Sequence, residues 1–457
     1  MTTQVIKFAP RAPAVVKDKP IDMLMVYPNP CLDSPFSLTA LSVLYPGKMF
    51  EDQGMRVKYL DMRWDTQDML EQLIKESAQI GVSCFTGYQA GRASDILALA
   101  KRLNPQIVTH VGGHHARMCP EDVRAEPNVD VVWPERAYHE HSFPFSDEAK
   151  RLWKLAPDVQ YITSSGCPYA CTFCALRSAW TPRPLEDMER QIDELHDLLG
   201  FKEVSFSDPN MGFDRTRVDG KMSRVDRYDR MKGIGKILRK HGIRFDCNIR
   251  CDYFDQQYVD LLTEAGCFSI EFGAESGNDE FLRKVIRKGH GIAEIREANR
   301  LLHGSGVSVM NSFIRGMPRE THEQWLDTMA FIDEIMEIAP EARASVYNFT
   351  PYPGGPAYDD AVAGIGVKEK FIPPKTMAEW GSLKLMVDPT YWCAGMCFRL
   401  DNTKKNFPGE DWKLIEPYVL LARQLWKDRR PEEFPGEDVE KIVTWQVRKH
   451  NAQLKAA

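Results

Sequence analysis

From residue 21 onward, short apolar runs alternate with stretches whose apolar residues return every three or four positions. The runs have the length of strands and the stretches have the period of helices. In a first block, 21–145, strands are expected at "IDMLMVYP", "MRVKYLDM", "IGVSCFTG", "IVTHVGG" and "VDVVWP", with helices over about 38–53 and 89–103 among them. Such alternation predicts an open parallel sheet covered by helices on both faces. Ligands of these sheets sit beyond the carboxyl ends of the strands, here the loops 27–37, 83–90 and 112–121.

A second block, 146–351, repeats the alternation with strands at "YITSSG", "EVSFSDP", "RFDCNIR", "CFSIEFGAES", "VSVMNSFIRG" and "ASVYNFTP". Helical patterns, such as 185–199 and 255–265, separate them. Six successive βα units predict a barrel or partial barrel, with chemistry at the C-terminal strand ends. A third block, 352–457, opens on the turn "PYPGGPAYDDA" and ends in a charged helical pattern. It is expected to be a small α-rich lid or substrate region, with Trp380, Tyr391, Trp392 and Phe398 as its aromatic candidates. Residues 1–20, rich in Pro and charge, read as a tail.

Composition narrows the classes. The chain has 457 residues, 43% of them hydrophobic, and a formal net charge of −6. No basic block suits a nucleic-acid surface, which needs clustered Lys and Arg. No run reaches the ~18 apolar residues of a membrane helix, and "MTTQVIKFAP" lacks the apolar core of a signal peptide. The expected place is the cytoplasm. Eleven cysteines in irregular spacing are not a disulfide scaffold, and clustered cysteines in a reducing compartment point to metal or redox chemistry.

Three cysteines do cluster. Cys167, Cys171 and Cys174 lie in "SSGCPYACTFCALRSAW", directly after the first strand of the second block. Spacing alone leaves zinc, redox chemistry, an iron–sulfur cluster and simple burial open. Zinc usually takes four ligands, and a fourth is absent nearby, although Cys393 and Cys397 offer a distant pair. Thiolates also ligate iron–sulfur clusters, and three of them leave one iron of a cubane open.

At this point the chain resembles the radical S-adenosylmethionine (radical SAM) family. "CPYACTFC" matches its CxxxCxxC signature, with Phe173 before the last cysteine. The resemblance implies a 4Fe–4S cluster on Cys167, Cys171 and Cys174, and SAM beside Phe173. "SFSDPNMGF", "CNIRCD" and "AGCFSIEFGAESGNDEFLRKVIRKG" resemble the segments that bring Asp208, Arg250 and Glu275 near SAM. Glu271, on the same strand face as Glu275 by alternation, is expected to be a satisfied polar residue of the barrel. "FIRGMPRETHEQW" and "FTPYPGGPAYD" are similar to the fifth and sixth units, which puts Tyr352 on the substrate side, with Trp392. The first block then resembles the Rossmann-like cobalamin-binding domain of class B enzymes. This implies a corrinoid approached by Ser83, Thr86 and Gly87 after the third strand and by Gly112 and Gly113 after the fourth.

Two departures stand out. The loop "YPNPCLDSPFS" lacks the Asp-x-His-x-x-Gly of many cobalamin domains, so the resemblance implies cobalt without a histidine below it; Tyr88 is a candidate there. "VVWPERAYHE" stands where relatives have a Gly–Glu–Gly turn. His114 and His115 read as a solvated pair flanking a cofactor.

The resemblance implies a cobalamin-dependent radical SAM C-methyltransferase, fed by a reductant such as flavodoxin or ferredoxin. Its substrate is a small molecule or a peptide segment, for example a residue of methyl-coenzyme M reductase. Rival readings are a cobalamin-type cyclase or rearrangement enzyme, a non-catalytic cofactor sensor, and a methylthiotransferase in which Cys31, Cys84 and Cys119 supply three further thiols.

Overall fold

The structure, a computed structural model, describes residues 19–30, 39–134, 143–212, 215–218, 221–367, 370–383 and 395–396. Cys31, Tyr391, Trp392, Cys393, Cys397 and Phe398 lie outside the described residues. The chain divides into two compact units, one of residues 1–157 with 374–383, the other of 158–373 with 384–457.

In the first unit the strands are β1 (Met23–Tyr27), β2 (Val57–Asp61), β3 (Gln79–Ser83), β4 (Val108–Gly112) and β5 (Val131–Val132). They form one parallel sheet in the order β2-β1-β3-β4-β5. Strand β3 is buried along its whole length, as expected where helices cover both faces. The helices are α1 (Leu41–Glu51), α2 (Gln67–Glu76), α3 (Tyr88–Leu103), the short α4 (His114–Met118) and α5 (Pro120–Arg124), and α6 (Asp147–Leu155). Thr66 caps α2 and Ser146 caps α6, each accepting one of the first-turn N–H groups a helix cannot satisfy itself. The strand order reverses between β1 and β3, which opens a crevice at their carboxyl ends.

The second unit begins with β6 (Gln160–Tyr161), then a hairpin of β7 (Ser164–Cys167) and β8 (Ser178–Pro182), and α7 (Leu185–Leu199). Next come β9 (Glu203–Phe206), the hairpin β10 (Arg215–Val218) and β11 (Lys221–Arg224), α8 (Arg227–Arg239), β12 (Arg244–Asn248) and α9 (Gln256–Glu264). Then follow β13 (Cys267–Glu275), a wide helical turn at Phe281–Ile286, α10 (Ile292–Leu302), β14 (Ser308–Arg315), α11 (His322–Ile338), β15 (Arg343–Asn348) and α12 (Pro356–Ala363). The sheet order β6-β9-β12-β13-β14-β15 is parallel throughout, and β16 (Gly395–Met396) pairs antiparallel with β15. Phe206, Phe245, Ile270 and Phe313 fill the interior.

The expected strand "YITSSG" is broken in two. Only its start joins the main sheet, and its end turns off into the β7–β8 hairpin that carries Cys167. Within β7, Gly166 makes a bulge with φ +79, and a Cβ there would lie 2.0 Å from the Ala179 carbonyl oxygen. The lid assignment of Trp380 is also corrected. It lies on α13 (Met377–Ser382), within the first unit, and is fully buried. Gly91 and Gly381 let α3 and α13 meet backbone to backbone, since a Cβ on Gly381 would come within 2.4 Å of the Gly91 Cα. Trp380 donates its indole N–H to Asp122 at 3.1 Å, and Glu126 accepts the Met377 N–H.

Candidate cofactor sites

The three cysteines sit on one short segment held at both ends. At its root, buried Asp208 accepts the Thr163 N–H at 2.7 Å and the hydroxyls of Thr163 and Ser164. Trp180 donates to the same Ser164 hydroxyl. Arg230 holds the Thr163 carbonyl at 2.8 Å. Burial raises the Asp208 carboxyl above its ordinary range against the pull of those hydrogen bonds. Both of its oxygens are engaged by β7 and the residue before it, so its contribution is to root the hairpin.

Further along, Thr172 donates its N–H to the Ile286 carbonyl at 2.9 Å and its hydroxyl to Val285. Its own carbonyl accepts the Ala357 N–H. Gly355 makes that approach feasible, because a Cβ there would lie 2.5 Å from the Thr172 oxygen. The N–H of Leu176 points at Cys174 Sγ, 3.4 Å away.

Burial pushes all three thiols above their ordinary range; the Tyr169 N–H opposes it at Cys167, the Leu176 N–H at Cys174, and the Lys288 charge at all three. Buried thiols of this kind ionise when a metal takes them, which deprotonates a coordinating sulfur outright. Among the described residues, the donor groups whose ligand atoms all lie within 4.8 Å of one another are two others, and this trio is not one of them. A single tetrahedral zinc would need sulfurs roughly 3.8 Å apart. Three thiols with a cationic neighbour suit thiolate ligation of an iron–sulfur cluster.

Around the trio the side chains are charged and buried. Lys288 donates to Glu275 at 2.6 Å, and the two are 8% and 6% exposed. Burial pulls the Lys288 ammonium down, but Glu275 and Cys171 outweigh it and leave its pKa raised. Glu275 has φ +64, a backbone state that costs a non-glycine residue of order 1–3 kcal/mol. A register shift between Gly273 and Glu275 produces it. The same shift corrects the expected alternation: Glu271 is exposed and bonded to Ser312, whereas Glu275 turns inward. A Cβ on Gly273 would lie 2.0 Å from Glu275 Oε1 and 2.6 Å from Lys288 Nζ. The pair occupies the space a side chain would fill. Phe173 lies with its ring centroid 5.9 Å from Lys288 Nζ.

Arg250 makes a two-pronged pair with Asp252 at 2.9 and 3.0 Å. Its guanidinium stacks 3.6 Å from the ring centroid of Tyr169, inside the cysteine segment. The Tyr169 and Tyr253 hydroxyls meet at 2.6 Å. Tyr352 follows β15, half-buried. Phe173, Arg250 and Glu275 thus gather around the cysteines, with Asp208 beneath. Lys288, Tyr169 and Asp252 were missed by sequence reading. Lys288 is one of three cations within five residues, with Lys284 and Arg287, and burial alone singles it out.

In the first unit the loop residues after β3 and β4 come together. Ser83 is buried and donates to Ser42 at 2.9 Å. Gln89 accepts the Phe85 N–H and donates to the Pro28 carbonyl, tying the ends of β1 and β3. Gly87 and Gly113 have φ of +102 and +101. A Cβ on Gly113 would lie 2.8 Å from the Cys84 carbonyl oxygen. Gly112 is half-buried beside it, and Tyr88 opens α3, also half-buried. Small residues thus let the loops after β3 and β4 approach closely at the crevice. The histidines are not a solvated pair. His115 is fully buried and bonded to Thr86 through Nδ1 at 3.2 Å, and His114 stacks on Phe85. Burial lowers both to about 4, so both rings are neutral near pH 7.

Residues 161–332 match the radical SAM superfamily and residues 31–140 match the B12 binding domain. The chain is 28% identical over 210 residues to an uncharacterized methyltransferase of Pyrococcus horikoshii, covering 44% of this chain and 41% of that one. It is 24% identical over 294 residues to a tRNA-2-methylthio-N(6)-dimethylallyladenosine synthase of Pseudomonas savastanoi, covering 57% and 63%. It thus spans less than two thirds of either relative. Its fold is similar to that of the cobalamin-dependent S-adenosylmethionine radical enzyme OxsB, with TM-score 0.64 at 15% identity, over 94% of this chain and 76% of that one. Among the described residues no helix is long and apolar enough to cross a membrane.

Proposed function

We propose, from a chain that joins a B12 binding domain to a radical SAM domain and so belongs to the cobalamin-binding radical SAM class, that the protein is a C-methyltransferase. When bound, the cofactors would supply the chemistry: an electron for cleavage of SAM to a 5′-deoxyadenosyl radical able to take hydrogen from an unactivated carbon, and a methyl group from cobalamin. The protein's residues bind, orient and shield. Cys167, Cys171 and Cys174 hold the cluster. The buried Lys288–Glu275 pair and Arg250 offer complementary charges to the amino acid end of SAM, with Phe173 alongside. Asp208 keeps the hairpin in place. Ser83, Thr86, Gly87, Tyr88, Gly112 and Gly113 cradle the corrin. Tyr352 and Trp392 are assigned to the substrate side. The substrate is a peptide segment, such as a residue of methyl-coenzyme M reductase, or a small molecule, and the electron comes from flavodoxin or ferredoxin.

The observation that carries this reading is a trio of thiols, one buried and two half-buried, facing a buried cation in a chain that also matches the B12 binding domain. A methylthiotransferase is the second reading, favoured by the 24% identical synthase. It needs further thiols in the first unit, where Cys84 is fully buried.

The test is anaerobic incubation of reconstituted protein with titanium(III) citrate, SAM and hydroxocobalamin, which that reductant takes to the cob(I)alamin that accepts the methyl group of SAM. Formation of 5′-deoxyadenosine together with S-adenosylhomocysteine is expected. Changing Cys167, Cys171 and Cys174 to Ala should abolish both products and the bound iron. 5′-Deoxyadenosine without S-adenosylhomocysteine would point to a cyclase or rearrangement. Indifference to cobalamin would favour the methylthiotransferase, and intact cofactors without SAM cleavage a sensor.

A further inference from the structure

His115, Cys119 and Asp122 form a donor cluster within the first unit. Their ligand atoms all lie within 4.8 Å of one another. They come from α4, the residue joining α4 to α5, and α5 itself. Cys119 and Asp122 are half-buried, which gives the cluster a route to solvent.

The His115 ring adds an independent observation. The residue is fully buried, its Nδ1 meets the Thr86 hydroxyl at 3.2 Å, and its Nε2 has no hydrogen-bond partner. A buried polar nitrogen left unmade costs about 1–3 kcal/mol, and native structures rarely leave one without cause. The arrangement is that of a metal-binding histidine, in which one nitrogen is fixed by a neighbour and the other is free to ligate. Asp122 has the same support, because Trp380 donates to its Oδ2 at 3.1 Å. The Trp380 ring stands edge-on to His115, with centroids 5.5 Å apart. A hydrogen bond between Cys119 and Asp122 would satisfy those two groups without metal, but it leaves Nε2 stranded.

We propose that His115 Nε2, Cys119 Sγ and the Asp122 carboxylate bind a zinc-class divalent cation. One nitrogen, one sulfur and one oxygen suit a borderline-soft metal and not calcium or magnesium, which take oxygen alone. Three protein ligands leave a fourth position for water or another donor. Binding takes the proton from Cys119, as metal does from any ligating thiol. His115 is neutral already and has none to give. The site stands whether or not the proposed methyl transfer is correct.

The test uses the full chain with Cys167, Cys171 and Cys174 changed to Ala, so that the hairpin thiols do not compete. Zinc is titrated against a chromophoric chelator, and cobalt(II) serves as a spectroscopic probe. One equivalent should bind, and cobalt should show a thiolate charge-transfer band. Cys119→Ser should remove that band and weaken zinc on the order of a hundredfold, through loss of a thiolate ligand. Trp380→Phe keeps a ring in the core and removes only the donor to Asp122; it should weaken zinc roughly tenfold. Unchanged zinc affinity and cobalt spectrum in Cys119→Ser, in protein that keeps its circular dichroism, would overturn the proposal. So would the absence of any equivalent tighter than roughly 10 μM, the affinity of a weak site at about 7 kcal/mol.

Discussion

Around the ends of β3 and β4, the buried polar side chains are neutral: Ser83, Thr86, Gln89 and His115. Around the cysteine hairpin, beside the neutral Thr163, Ser164 and Thr172, stand buried ionic side chains: Arg250, Glu275 and Lys288. The first set meets hydroxyls, amides and backbone, and glycines replace bulk. In the second set Arg250 pairs with Asp252 and Lys288 with Glu275. The difference matches what each region is proposed to hold. A corrin is recognised by shape and close backbone approach. A thiolate cluster with a zwitterionic cosubstrate needs counter-charges set in place before binding, where low dielectric makes them strong.

The sharpest way to break this comparison is to remove one partner on each side. Lys288→Met leaves the Glu275 carboxylate buried and unpaired. That should cost about 3–5 kcal/mol in urea denaturation of the apoprotein, as breaking buried ion pairs does. Adding Glu275→Gln should recover most of the loss, since a neutral pair owes little desolvation. In the first unit, Thr86→Val removes one neutral hydrogen bond and should cost about 1 kcal/mol. Equal costs for the two single changes would mean that the ionic character of the second site adds nothing.

The two glycine cradles sharpen it further. At Gly113 a Cβ would meet backbone, and φ is +101, so neither term can relax. Gly113→Ala should cost about 1–3 kcal/mol and weaken cobalamin binding, read by absorbance titration. At Gly273 a Cβ would meet the tips of Glu275 and Lys288, which can swing away. Gly273→Ala should therefore spare stability and displace the pair, weakening SAM in equilibrium dialysis. A Gly273→Ala protein that melts as early as Gly113→Ala would show that the pair is clamped and not poised.

The same contrast explains what the chain discloses before folding. The strands were legible because parallel β-strands buried on both faces read as apolar runs, and β3 and β13 fall where "IGVSCFTG" and "CFSIEFGAES" stand. The hairpin cysteines were legible because their chemistry needs that spacing. Three features were not. The break between β6 and β7 falls at Ile162–Thr163, which carry no turn signature; it is held by Asp208, 45 residues on from Thr163. The bulge at Gly273–Glu275 inverts the alternation that placed Glu271 and Glu275 together. Trp380 read as a lid aromatic because sequence distance hides that α13 returns to the first unit, where Asp122 receives its indole N–H.

The smallest expected difference is in the response to acid. The Arg56 side chain beside Asp22 holds that carboxyl below its ordinary range, with burial opposing. A depressed carboxyl contributes stability that is fully present above its unfolded pKa, ~3.9, and is lost as pH falls through the folded value. Burial raises Asp208 instead. Its contribution has the opposite sign: present below the unfolded pKa and lost as pH rises through the folded one. From about pH 4 down to about pH 2, the β1–β2 edge should lose amide-exchange protection while residues 161–167 keep theirs. Hydrogen exchange with mass spectrometry, corrected for intrinsic rates, reads both segments in one experiment. Arg56 faces Asp22, and Arg230 lies near Asp208; both stay cationic throughout, so the carboxyls alone set the sign. Asp22→Asn should flatten the first response and leave the second untouched. Earlier loss of protection at 161–167 than at 22–28 would place Asp208 among the ionised, hydrogen-bond-stabilised carboxylates and erase the acid asymmetry between the two units.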